Sequence, residues 1–203
     1  KIILTSNAHP NDLYLDGLQR QKFLASLKIF LENVNIHKLD GDIDYRTRNI
    51  IKFDENDSNK IISDEEIFQF IVDNFALDQQ KSDQISINDR KFNCKLVSNN
   101  ILWIEFNDFF KEATGSMDYK YISKKFDWIF ISNFKKNNDD TIDIIRRFIS
   151  FIDITYINRT KIKFFFNDIP IESLYSGSKI NNLWVRCKSR LSEMRTQEYL
   201  TNN

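Results

Sequence analysis

The chain has 203 residues, 41% hydrophobic and 29% charged, a composition that suits a globular fold and excludes a disordered one. Twenty-nine basic residues balance twenty-nine acidic ones, so no net charge draws it toward nucleic acid or an anionic membrane. Two cysteines and two histidines, all far apart, exclude a disulfide framework and a zinc motif, and no apolar run approaches the ~18 residues of a membrane span.

Lys1–Thr5 is a short apolar, β-branched run that reads as a buried strand, and Pro10 in the cluster His9-Pro10-Asn11-Asp12 turns the chain after it. Phe23, Leu24, Leu27, Phe30, Leu31 and Val34 recur at three- and four-residue steps, which predicts a helix from about Leu18 to Asn33. Ile36–Leu39 reads as a second strand. Strand, helix and strand in that order form a βαβ unit with a parallel crossover. A strand that opens a chain without lead-in suggests that earlier strands precede Lys1.

Asn49–Phe53 reads as a strand, and Ser63-Asp64-Glu65-Glu66 is a capping box ahead of a helical face of Ile67, Phe70, Ile71 and Phe75. Lys91–Val97 and Ile101–Phe106 flank Ser98-Asn99-Asn100 as a hairpin. Residues 47–106 therefore read as a β-rich insertion between an α/β core segment, 1–46, and a carboxyl-terminal α/β region, 107–203. In that last region Asp108–Ala113 and Asp118–Lys125 are short helices, and Asp127–Ser132 is a buried strand. Asp139-Asp140 cap a helix with Ile142, Ile145, Phe148, Ile149, Ile152 and Tyr156 on its core face. Lys161–Phe166 closes a second βαβ unit. A final helix from Leu183 to about Leu200 carries a stripe of Leu183, Cys187, Leu191 and Met194.

A phosphate-cradling P-loop needs two glycines at fixed spacing and a lysine. Gly17, Gly41, Gly115 and Gly177 do not provide it, and no apolar strand ends in the acidic pair that holds magnesium. This chain alone is not expected to cradle a nucleotide, and no bound cofactor is expected on it.

Four stretches carry a resemblance to a known family. Thr5–Arg20 resembles the segment that follows the Walker B strand in the ZapE family of cell-division AAA+-type ATPases, which have mitochondrial AFG-type homologues. Asp44-Tyr45-Arg46, the run Arg146–Asp153, and the run Arg186–Met194 with Glu198-Tyr199-Leu200 match three more family motifs in the same order. The resemblance implies the carboxyl-terminal half of a P-loop ATPase: an α/β fold with a partial AAA+-like parallel sheet, and Walker motifs upstream of Lys1. It implies ATP and Mg²⁺ as cofactors of the intact protein, a homo-oligomer, and a protein substrate such as a division-ring component. It implies no nucleic acid, and it leaves room for peripheral membrane association. It places the protein in the cytoplasm at the division site, or in the mitochondrial matrix of a eukaryote. The chain departs from the family at Asn133, Lys135 and Asn167-Asp168.

By resemblance Asn7 is the sensor that orients the attacking water, a task suited to an amide that donates and accepts without changing charge. The competing reading is a turn cap before Pro10. Arg20 corresponds to an arginine finger reaching a neighbouring subunit's nucleotide, against the default of a solvated helix residue. Arg46 is a weaker candidate for the same work. Arg186 and Arg190 lie one helical turn apart, opposite the apolar stripe, and the resemblance implies that one of them is a second phosphate sensor. The plainer alternative is an Arg190–Glu193 ion pair worth ~0.3 kcal/mol. Arg146-Arg147 read as a partner contact or as a helix's wet face. A second functional class is a non-catalytic module that docks partners through residues 47–106.

Overall fold

The computed structural model of the chain describes residues 4, 10–13, 20–37, 47, 49–50, 61–75, 77, 82–98 and 100–201. They fall in two compact units, Lys1–Gly41 and Asp42–Asn203.

In the first unit a 3₁₀ turn, Pro10–Asp12, precedes helix α1, Arg20–Leu31. The expected helical face is only partly covered. Leu27 is buried, whereas Leu24 and Phe30 are exposed. The flanking strands are not seen among the described residues. Leu4 lies outside any strand and is 70% exposed, and Ile36 is exposed irregular chain. The remainder of Lys1–Thr5 lies outside the described residues, as do Lys38 and Leu39.

The second unit is built on a mixed five-stranded sheet in the order β1-β2-β3-β4-β5. β1 (Ser82–Ile87), β2 (Arg90–Ser98) and β3 (Ile101–Glu105) form an antiparallel meander. β4 (Trp128–Ser132) and β5 (Lys161–Phe164) continue it in parallel with β3. The expected hairpin and the second βαβ unit are both present. The sheet runs without a break across the boundary drawn at 106/107. β1 has no counterpart in the sequence reading. Asn88 and Asp89 join it to β2 at φ 47° and 62°, the double left-handed geometry of a tight hairpin turn that Asn and Asp tolerate.

Helix α2 (Asp64–Asn74) starts at the predicted capping box, with Glu66 N–H donating to Ser63 Oγ and Ser63 N–H to the Glu66 carboxylate. Residues Thr47, Asn49 and Ile50 are helical rather than a strand. The rest of the expected strand, residues 51–53, lies outside the described residues. Behind α2, Phe75 packs edge-on to Trp128 and Phe130, the residues of β4 that share one face. The other face carries α3 (Phe106–Lys111), α4 (Ser116–Lys125) and α5 (Ile142–Ile157). Here Phe106, Phe110, Phe134 and Phe148 interlock with ring centroids 4.8–5.9 Å apart. Each such pair adds roughly 0.5–1.5 kcal/mol beyond area burial.

The last predicted helix is two: α6 (Asn181–Met194) and α7 (Gln197–Thr201). Thr196 Oγ1 accepts the Tyr199 N–H and so caps the new start. The buried stripe of α6 is Trp184, Cys187, Leu191 and Met194; Leu183 is 39% exposed. The larger indole takes the core position one residue along.

Candidate functional site

α5 and α6 pack side by side and bring two of the predicted arginines onto one acid. Arg186 Nη2 donates to Asp153 Oδ2 at 2.7 Å, and Arg190 Nη1 donates to Asp153 Oδ1. The arginines thus sit on the flank of α6 that borders α5, and not on its far side. At 3.6 residues per turn both fall beside the buried stripe. The Arg190–Glu193 pair does not form. Glu193 instead accepts the Tyr156 phenol at 2.8 Å, and the Arg190 guanidinium lies 5.1 Å from the Tyr156 ring centre. Tyr199 stacks on Tyr156 at 5.8 Å, and Arg159 sits over Tyr199 at 5.2 Å. The Glu193 hydrogen bond raises the Tyr156 pKa, with burial second, and burial raises that of Tyr199. The Cys187 thiol beneath is pushed up by burial, which leaves it an inert core group.

The carboxyl ends of the parallel strands, where open α/β sheets bind ligands, are already filled. Asn133 after β4 and Asn167 after β5 take left-handed backbone, φ 56° and 54°. Asn167 Oδ1 accepts the Ile62 N–H at 3.1 Å, and Asn133 Nδ2 reaches Asp64 at 3.4 Å. Lys95 bridges Asp64 at 2.9 Å and Glu105 at 3.0 Å, and these carboxylates, Asp64 first, raise its pKa. The entrance of α2 therefore plugs this edge with mutually satisfied groups. Among the described residues no three of His, Cys, Asp and Glu gather to hold a metal ion.

Arg20 opens α1 in the first unit. Its Nη2 donates to the Asn11 carbonyl at 3.1 Å, while its buried Nε finds no acceptor among the described residues. The first turn of α1 contains no acidic residue. A cation at the positive end of a helix dipole opposes helix stability, so this arginine is not explained by the helix it starts. Asn7 and Arg46 lie outside the described residues. Arg147 is a structural cap, donating to the Phe110 and Lys111 carbonyls at the end of α3, and Arg146 is exposed.

A family model described as AFG1-like ATPase matches residues 1–203, the whole chain. The chain belongs to the AFG1-like ATPase family. It is 28% identical over 98% of its length to the cell division protein ZapE of Escherichia coli, of which it covers 53%. It is 25% identical, over 98% of its length and 50% of the relative, to the uncharacterized protein C115.02c of Schizosaccharomyces pombe. It is 24% identical, over 95% of its length and 39% of the relative, to lactation elevated protein 1 homolog B of Danio rerio. The chain spans about half the length of the curated relatives it matches. No solved structure matches it.

The mixed α/β sheet is consistent with this AFG1-like family. Two of the stretches that carry the family likeness, Arg146–Asp153 and Arg186–Met194, are far apart in sequence and meet at Asp153. Sequence reasoning quoted Asp153 within its motif yet gave it no role, and it overlooked Tyr156 and Glu193 as partners. The signal was an acid in one AFG1-like motif with two arginines one helical turn apart in another. Among the described residues no helix is long and apolar enough to cross a membrane.

Proposed function

We propose that this chain is the carboxyl-terminal portion of an ATPase that binds and hydrolyses ATP when intact, with the Walker motifs upstream of Lys1. The observation that carries this reading is the AFG1-like ATPase match over all 203 residues. The half-length coverage of the relatives supports a longer intact protein. In this reading Asn7 orients the attacking water, and Arg20 is the finger that stabilises charge on the transferred phosphoryl group of a neighbouring subunit. The orphaned Nε of Arg20, at a helix end that disfavours a cation, fits a group waiting for an anion. Arg186, Arg190 and Arg46 contribute phosphate contacts, and the upstream motifs hold Mg²⁺. The chain by itself is inactive. Likeness to a cell division protein supports a cytoplasmic role in remodelling or destabilising the division ring.

The test uses the intact protein. Asn7→Ala and Arg20→Ala bind ATP with near-normal affinity and hydrolyse it slowly, the finger variant by about 10³-fold or more. Unchanged turnover in both variants removes the two assignments. Reading the coding sequence ahead of Lys1 tests the architecture separately: a glycine-rich P-loop supports it and a start codon defeats it.

A further inference from the structure

Two cations share one anion at the α5–α6 seam. Arg186 and Arg190 each spend a guanidinium nitrogen on a different oxygen of Asp153, so the trio keeps one positive charge. Glu193, the nearest alternative counter-ion on α6, is engaged by the Tyr156 phenol. The three side chains differ in access. Arg190 is 23% exposed and stacked on Tyr156, Asp153 is 25% exposed, and Arg186 is 50% exposed. Arg190 is therefore the fixed member and Arg186 the free one. A guanidinium fork accepts carboxylate and phosphate oxygens by the same geometry.

We propose that Asp153 is a built-in stand-in for a phosphate group: it holds Arg186 and Arg190 in place until a polyphosphate oxyanion takes Arg186 from it. The inference rests on the phosphate-contact reading of these arginines and adds the group that competes for them. Arg190 keeps its Asp153 and Tyr156 contacts while Arg186 swings from carboxylate to phosphate. Asp153 is thus a positioning residue that also weakens binding, because the incoming anion meets its charge.

Calorimetric titration of inorganic tripolyphosphate into the intact protein tests the exchange, at low and at physiological salt. Asp153→Asn removes the competing charge and tightens binding by about tenfold, ~1.4 kcal/mol. Arg186→Gln in that background cancels the gain, and Asp153→Glu, which keeps the charge, gives none. Asp153→Ser repeats the measurement should the Asn variant fail to fold. Binding that Asp153→Asn leaves unchanged or weakens overturns the proposal, because a merely structural clip predicts that result. A gain that survives Arg186→Gln overturns it as well. If the gain appears while Arg186→Gln and Arg190→Gln leave ATP turnover of the intact protein unchanged, the oxyanion site stands and the assignment to ATP falls.

Discussion

Arg90 grips Asp118 through Nη2, 2.7 and 2.6 Å from its two carboxylate oxygens, and so pins the β1–β2 hairpin to the start of α4. The acid is 3% exposed and also accepts from Asn88 Nδ2 at 3.2 Å and from the Gly115 N–H at 2.9 Å. Arg90 spends its remaining fork on the Ala113 carbonyl at 2.8 Å and stacks on Phe92 at 5.0 Å.

Removing Asp118 strands several donors at once. Asp118→Ala is expected to cost about 3 kcal/mol. Arg90→Ala, at a half-exposed partner, costs about 1–2 kcal/mol. Urea unfolding of the two single variants and the double variant gives the coupling. An additive double variant would show that the pair contributes nothing beyond its separate parts.

Inside the sheet, the Trp103 indole N–H donates to Ser132 Oγ at 2.9 Å, with both residues buried. Ser132→Ala leaves that N–H without an acceptor and is expected to cost about 1–2 kcal/mol. Trp103→Phe in the Ser132→Ala background removes the stranded group. Equal unfolding midpoints for wild type and Ser132→Ala would show the bond to be dispensable.

The Tyr175 phenol donates to Asp139, which also accepts the Ser178 and Lys179 N–H groups at 3.1 and 3.2 Å. Tyr175 first, then the Ser178 N–H, holds the Asp139 carboxyl below the usual carboxylate range. A depressed folded value contributes stability that is present above the unfolded value, and the contribution is lost as pH falls through the folded one. The Tyr175 phenol is raised, by burial and then by Asp139. Its contribution is therefore present below the unfolded value and lost as pH rises through the folded one. Urea midpoints should fall at both ends, the acid limb lying below about pH 4. Tyr175→Phe flattens both limbs, and superimposable profiles for the two proteins would refute the coupling.

A Cβ added at Gly177 would collide with the Asp139 carboxylate and the Tyr175 hydroxyl. Both atoms end flexible side chains, but each is held by the other, so relief means breaking their bond. Gly177→Ala should lower the thermal midpoint by roughly 2–4 °C and reproduce the flattened acid limb. A variant as stable as wild type would mean that the strap yields freely.

Periodicity and capping chemistry made much of the second unit legible. The Ser63–Glu66 box, the hairpin through Ile101 and the core face of α5 all follow from the spacing of residue types. β1 was hidden because Ser82, Asp83 and Gln84 are exposed and only Ile85 and Ile87 turn inward. The Asn88-Asp89 pair was the available clue. Leu183 was preferred to Trp184 because a heptad-like count treats all apolar residues alike, whereas packing selected the larger ring. The meeting of Asp153 with Arg186 and Arg190 joins residues over 30 positions apart. No local pattern encodes such a contact, although the separate motifs were already visible.

The two asparagines that follow β4 and β5 both reverse the hand of the backbone. Glycine meets that demand at least as well, and a β-branched residue scarcely at all. Exchange among Asn, Asp and Gly at 133 and 167 should therefore keep the bend, although Asn167→Gly gives up the acceptor for the Ile62 N–H and Asn133→Asp sets a carboxylate against Asp64. A valine at either place would prise the mouth of α2 away from the strand ends. The choice of residue at these two places is thus set first by how the chain must bend.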